Sequence, residues 1–179
     1  MRVCIDPGHG GHDSGARNGL LLEKDIVLEI GLLTAGLLRD RGVDVVLTRT
    51  RDVFLGLRER AEIANAAQAD AFVSLHCNGA ASPNASGVET WHYLGSGAGR
   101  ELARSAYFAL RDAAAGHKPR GVKAANFAVL RLTTMPAALL EYEFITNPKR
   151  GAWLARPETH LLLAQATATG VLTFMEASA

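Results

Sequence analysis

The chain has 179 residues, 48% of them hydrophobic and 21% charged, with a formal net charge of +1, a make-up that leaves room for one ordinary core and little else. The near-zero balance excludes the clustered Lys and Arg of a nucleic-acid binder, and no window approaches the ~20 uninterrupted apolar residues of a membrane span. With only Cys4 and Cys77, a disulfide framework is excluded, and small buried thiols are the expectation.

In chain order, Val3 to Ile5 reads as a first strand and Pro7 to Gly19 as a glycine-rich loop. Ile26, Ile30, Leu33 and Leu37 recur at helical period and place a helix from about Ile26 to Arg39, stopped by Gly42. Val43 to Leu47 is β-branched enough for a strand, Leu57 to Ala67 is helical, and Ala71 to Leu75 is a third apolar strand. Val88 to Tyr93 then reads as a strand, Gly99 to Ala115 as a helix, Phe127 to Leu130 as a short strand, and Ala137 to Tyr142 as another. Pro157 opens a last helix to about Met175. Asn78 to Gly87 and Gly116 to Gly121 are loops, too short to link domains. The prediction is a single α/β domain over 1–179, with a mostly parallel twisted sheet of about six strands flanked by helices on both faces.

Three polar side chains close three of these strands: His9, His76 and Glu141. In open α/β sheets ligands bind outside the carboxyl ends of the strands, so residues distant in sequence converge there. Glu23 stands just before the first helix, where the glycine-rich loop returns it to the same edge. Two imidazoles and a carboxylate, with a position left for water, make a catalytic zinc set, whereas structural zinc usually closes its shell with four protein ligands. No local signature such as H-E-x-x-H accompanies them, so the residues alone leave open both a zinc site and satisfied core histidines. Gly8, Gly10 and Gly11 lack the Lys-Ser/Thr of a P-loop and the spacing of a dinucleotide fingerprint, and are expected to allow unusual backbone angles beside the site. His12 is expected at the surface, His92, His117 and His160 as structural or solvated, and Trp91 and Trp153 in the core.

Val3-Cys4-Ile5-Asp6-Pro7-Gly8-His9-Gly10-Gly11, followed by Asp13 and Gly15-Ala16, resembles the opening of the zinc-dependent N-acetylmuramoyl-L-alanine amidases of the amidase-3 type. Glu23-Lys24-Asp25, Leu57 with Arg60 and Ala64-Asn65, and Ala69-Asp70 through Ser74-Leu75-His76 with Asn78 continue the resemblance. Arg120-Gly121-Val122-Lys123, Val129-Leu130-Arg131, Met135-Pro136, and Glu141 with Phe144 and Asn147-Pro148 follow in the family's order, so it spans about Val3 to the final helix. The resemblance implies a zinc-exopeptidase-like fold and a hydrolase cleaving the amide between N-acetylmuramic acid and L-alanine in peptidoglycan. By residue matching, His9, Glu23 and His76 would hold one zinc ion and Glu141 would be the catalytic carboxylate.

Where the family usually has glycine two residues after that carboxylate, this chain has Glu143. On a continuing strand Glu141 and Glu143 point to the same face, so Glu143 is expected to bind substrate or to face solvent. Asn78 is expected to hydrogen-bond substrate or to cap a turn. A zinc exopeptidase or other amidohydrolase of similar fold is the alternative, and a silent peptidoglycan-binding module ranks last because all four site residues are present. The expected partner is peptidoglycan, with no nucleic acid, no membrane insertion and a monomeric state. The amino terminus lacks the basic-then-apolar layout of a secretory signal. That fits a cytoplasmic phage endolysin awaiting a holin, or a trimmed domain of an exported autolysin, either of them acting on the cell wall. No separate wall-binding domain and no site-plugging insertion is expected, hence constitutive activity.

Overall fold

The computed structural model describes residues 1–178, so the predicted domain is seen except for Ala179, which lies outside the described residues. Its elements run β1 (Arg2–Pro7), β2 (Arg17–Asn18), β3 (Leu21–Leu22), α1 (Glu23–Arg39), β4 (Asp44–Leu47), α2 (Leu57–Ala66) and β5 (Ala71–Asn78). The second half runs β6 (Val88–Tyr93), α3 (Gly97–Ala113), β7 (Pro119–Ala125), α4 (Ala128–Leu132), β8 (Ala137–Phe144), α5 (Pro148–Leu154) and α6 (Pro157–Ala177).

Six strands form one sheet in the order β4-β1-β5-β8-β6-β7, and β2 with β3 makes a separate small hairpin. β4, β1, β5 and β8 are parallel, β6 runs antiparallel to β8, and β7 is parallel to β6. The mostly parallel sheet read from the sequence is therefore present. Strands covered on both faces read as near-continuous apolar runs rather than alternating ones, as the buried Val3, Cys4 and Ile5 of β1 and Ala71 to Leu75 of β5 do. On one face Ile5, Val73 and Leu140 pack with Ile30 of α1, Leu102 of α3 and Leu163 of α6. On the other, Cys4, Phe72 and Leu139 pack with Ala64 of α2 and with Val129 and Leu130 of α4.

Two predicted elements are corrected. Phe127 to Leu130 is not a strand: Phe127 is the N-cap of α4, and its carbonyl accepts from Leu130 and Arg131. A short apolar run does not by itself distinguish a strand from one turn of buried helix. The sixth strand is instead β7, hidden in what reads as a loop because Pro119, Gly121 and Lys123 break its apolar pattern. Gly121 adopts φ +86° where the register to β6 shifts between Val88 and Glu89, a bulge that glycine accommodates. α5 follows Asn147, whose side chain caps the amides of Lys149 and Arg150, with Pro148 in the first turn. Among the described residues no helix is long and apolar enough to cross a membrane.

Candidate active site

The parallel strands β1, β5 and β8 end at one edge of the sheet, and each delivers a polar side chain there. His9 follows β1 in a left-handed backbone conformation, φ +59°, which a non-glycine residue keeps only where its surroundings impose it. Two buried arginines do so. Arg60 of α2 donates to the carbonyls of Pro7 and His9, and Arg49 to those of Pro7 and Gly8. Arg60 is also paired with buried Asp6 at 2.8 Å, and Thr48 and Ser74 donate to that carboxylate.

Glu23 begins α1 and is 3% exposed. Its Oε2 accepts from the amide of Ala16 at 2.7 Å, and its Oε1 from that of Cys77 at 2.9 Å. The same Oε1 lies 3.0 Å from His9 Nε2 and 2.9 Å from His76 Nδ1. The other ring nitrogen of His9 meets Asp13 at 2.9 Å, and Asp13 in turn accepts from the amide of Gly15. The glycines serve two purposes. Gly10 and Gly11 carry positive φ, as expected, but Gly8 does not: a Cβ there would lie 2.3 to 2.8 Å from three atoms of the His76 ring. Gly8 is there for room.

Burial alone would push the Glu23 carboxyl up, yet the bonds from His76 and His9 outweigh it and hold it down at about 2. Burial likewise pushes His9 down, and Glu23 with Asp13 lifts it above the usual imidazole range. Three ligand atoms, one from each of His9, Glu23 and His76, lie within 4.8 Å of one another. This donor set fits zinc, and the Asp13 contact on Nδ1 leaves His9 Nε2 as the nitrogen turned to Glu23 and available to a metal. Cys77 is not part of this converging group, and burial, then Glu23, Glu141 and Glu143, push its thiol well above the ordinary range.

Glu141 pairs in register with His76 across β5 and β8, and with Glu89 across β8 and β6. Its Oε2 is buried with no partner. Burial, then the charges of Glu23 and Glu89, push its carboxyl well above the ordinary range. An unpartnered, buried carboxyl group beside a metal-type cluster is a configuration suited to moving protons. The two groups share a cleft of about 610 Å³ with apolar walls that include Phe54, Leu57 and Phe127.

Residues 3–173 match the sequence profile of the amidase-3 family, described as N-acetylmuramoyl-L-alanine amidase. The chain belongs to this family. An endolysin of Bacillus phage SPP1 is 43% identical over 176 residues, covering 94% of this chain and 64% of that protein. The N-acetylmuramoyl-L-alanine amidase LytC of Bacillus subtilis strain 168 is 36% identical over 173 residues, covering 96% and 35%. The chain thus spans less than two thirds of the length of either relative. Among solved structures, the N-acetylmuramoyl-L-alanine amidase AmiC2 of Nostoc punctiforme superposes with a TM-score of 0.94 at 40% identity, covering 98% of this chain and 97% of that one.

Within this amidase fold the expectation for Glu143 is corrected. The β5–β8 register shifts between His76 and Asn78, so Asn78 pairs with Phe144, and the bulge breaks the two-residue alternation. Glu143 is fully buried and is not among the residues lining the cleft. It accepts from the amides of Gly87 and Phe144 and meets His117 at 3.0 Å. Asn78 does line the cleft, and its amide donates to Glu89 at 2.8 Å. His12 is exposed and stacks on Phe54, ring centroids 4.2 Å apart.

Sequence reasoning assigned no role to Asp13, Arg49 or Glu89. For Arg60 a signal was available: it lies beside Ala61 and Ala64 on the buried side of α2, where a charge demands a partner. Glu89 is held by Asn78, Arg120 and Lys123. Burial pushes its carboxyl up, but Lys123, Arg120 and Asn78 bring it below the ordinary range. The unfolded chain therefore takes up this proton first as pH falls. The stabilisation is full above the unfolded value of about 4.3 and is lost as pH drops through the lower folded value. Glu89→Gln is expected to remove that part of the dependence, so its melting temperature should fall less than the native chain's between about pH 6 and about pH 3. Parallel curves would show that Glu89 contributes nothing to acid stability.

Proposed function

We propose that the chain is a catalytic domain that hydrolyses the amide between N-acetylmuramic acid and L-alanine in peptidoglycan, at the cell wall, with one zinc ion on His9, Glu23 and His76. The observation that carries the reading is the meeting of His9 Nε2 and His76 Nδ1 on one Glu23 oxygen, in the same cleft as the unpartnered Glu141 carboxylate. The names of the relatives, amidases and an endolysin, support the substrate class.

Zinc held by His9, Glu23 and His76 would supply Lewis acidity, polarising the scissile carbonyl and lowering the pKa of water so that hydroxide is available near neutrality. Glu141 takes the proton of the attacking water and delivers it to the departing L-alanine nitrogen. Its raised affinity for protons suits the second half of that task. Asp13 holds the His9 ring in one orientation, and Asn78, which lines the cleft, contacts substrate.

The test joins metal analysis to wall digestion. Purified protein is expected to carry about one zinc per chain and to release L-alanine amino termini from peptidoglycan, with activity lost on chelation and restored by zinc. Zinc without wall cleavage, but with trimming of free peptides, would make the chain an exopeptidase. No bound zinc would overturn the ligand assignment.

A further inference from the structure

We propose that Arg120 and Lys123, both held on Glu89, form a subsite for a carboxylate on the stem peptide beside the scissile amide; this rests on the muramyl-amide reading above. Glu89 is 3% exposed. Its Oε2 receives Arg120 Nε and Lys123 Nζ, each at 2.5 Å, while its Oε1 receives Asn78 at 2.8 Å. One cation would neutralise this carboxylate. Two leave a net positive charge next to Asn78, which lines the cleft and bonds Glu89.

The donors are only partly spent. Arg120 uses Nε on Glu89, and among the described residues neither of its terminal guanidinium nitrogens bonds a protein atom. The guanidinium rests on the Phe144 ring at 4.9 Å, and the Lys123 ammonium on Trp91 at 5.0 Å. Their side chains remain 29% and 32% exposed. Both cations are thus fixed in place before any ligand arrives, which lowers the ordering cost of binding. A planar guanidinium with its terminal nitrogens free matches the geometry of a carboxylate.

Position decides which carboxylate. Glu89 is directly opposite Glu141, and Gly121 and Lys123 pair with Glu89 and Trp91 on the next strand out. At about 4.8 Å between strands, β7 runs roughly 10 Å from the strand of the catalytic carboxylate, and both cations reach back to Glu89 on the strand between them. A peptide chain advances about 3.3 to 3.6 Å per residue, so they reach the second residue beyond the cleaved bond. In peptidoglycan that residue is a γ-linked glutamate, whose α-carboxylate is free in some walls and amidated in others. The subsite would therefore discriminate between wall types.

The experiment uses the metal-loaded protein and two muramyl tripeptides that differ only in carboxylate or carboxamide at the second residue. The native chain is expected to favour the carboxylate about tenfold or more in kcat/KM, as a charge-assisted hydrogen bond provides. That ratio should fall toward one in Arg120→Gln and in Lys123→Gln, and be partly restored in Arg120→Lys. Each single variant leaves Glu89 with one cation and Asn78, and Glu89→Gln combined with Arg120→Gln serves where a single variant does not fold. Calorimetric binding of the two released peptides gives a readout independent of turnover. Equal kcat/KM and equal binding in the native chain, or a preference that survives both glutamine variants, would overturn the subsite. If the peptides bind with the expected preference but neither muramyl substrate is cut, the subsite stands and the amidase reading fails. If both substrates are cut equally and both peptides bind equally, the reverse holds.

Discussion

Glu141→Gln is expected to lower peptidoglycan cleavage by roughly 10²- to 10⁴-fold, the usual worth of a positioned acid-base group, while zinc content stays at the native level. The substitution keeps shape and volume and removes only the ability to take up and return a proton. The metal should be retained because the three converging ligand atoms belong to His9, Glu23 and His76, none of which bonds to Glu141. The fold should also hold, since Glu141 Oε2 has no partner to lose. Neutralising Glu141 even removes a buried carboxylate that the charges of Glu23 and Glu89 oppose, so the variant should melt no lower than the native chain. Near-native turnover with zinc in place would end the assignment of Glu141 as base. Loss of zinc together with activity would instead make it a ligand.

The site was more legible than the frame that holds it. His9, His76 and Glu141 could be placed together because they end apolar runs, and strand ends converge by topology. Glu23 was legible from its place before the first helix. Glu143 was misread for a physical reason: alternation assumes an unbroken ladder, and the shift between His76 and Asn78 leaves no mark in an apolar run ending Glu141-Tyr142-Glu143. β7 escaped because its apolar pattern is interrupted where Lys123 and Arg120 turn to Glu89, so the interaction that gives the strand its role is what disguised it. Asp6, which the sequence singles out only as part of the opening motif, lies in β1 and is fully buried. Its partner lies 54 positions away on α2, a distance no local pattern bridges.

That buried pair carries the second large effect. Arg60→Met should destabilise the chain by about 3 to 5 kcal/mol, because removing one member of a buried ion pair leaves the other charge uncompensated. In a domain of this size the melting temperature should then fall by about 6 to 20 °C. Met fills most of the volume, so the loss is electrostatic, with Asp6 left to the hydroxyls of Thr48 and Ser74. Arg60 does more than neutralise Asp6. It also donates to the carbonyls of Pro7 and His9, and with Arg49 it imposes the left-handed turn that presents the His9 ring. The two roles separate in the double variant Asp6→Leu with Arg60→Met. Removing both charges should recover much of the stability, as replacing a buried pair by apolar groups often does. Zinc affinity should not recover with it, since the carbonyl of His9 still lacks its donor and the ring is free to leave Glu23. Denaturant unfolding of the chelated chains and competition with a zinc dye measure the two separately. A double variant that regains both would reduce Arg60 to a counter-ion, whereas a single variant within a few degrees of native would show that the pair contributes little to the fold.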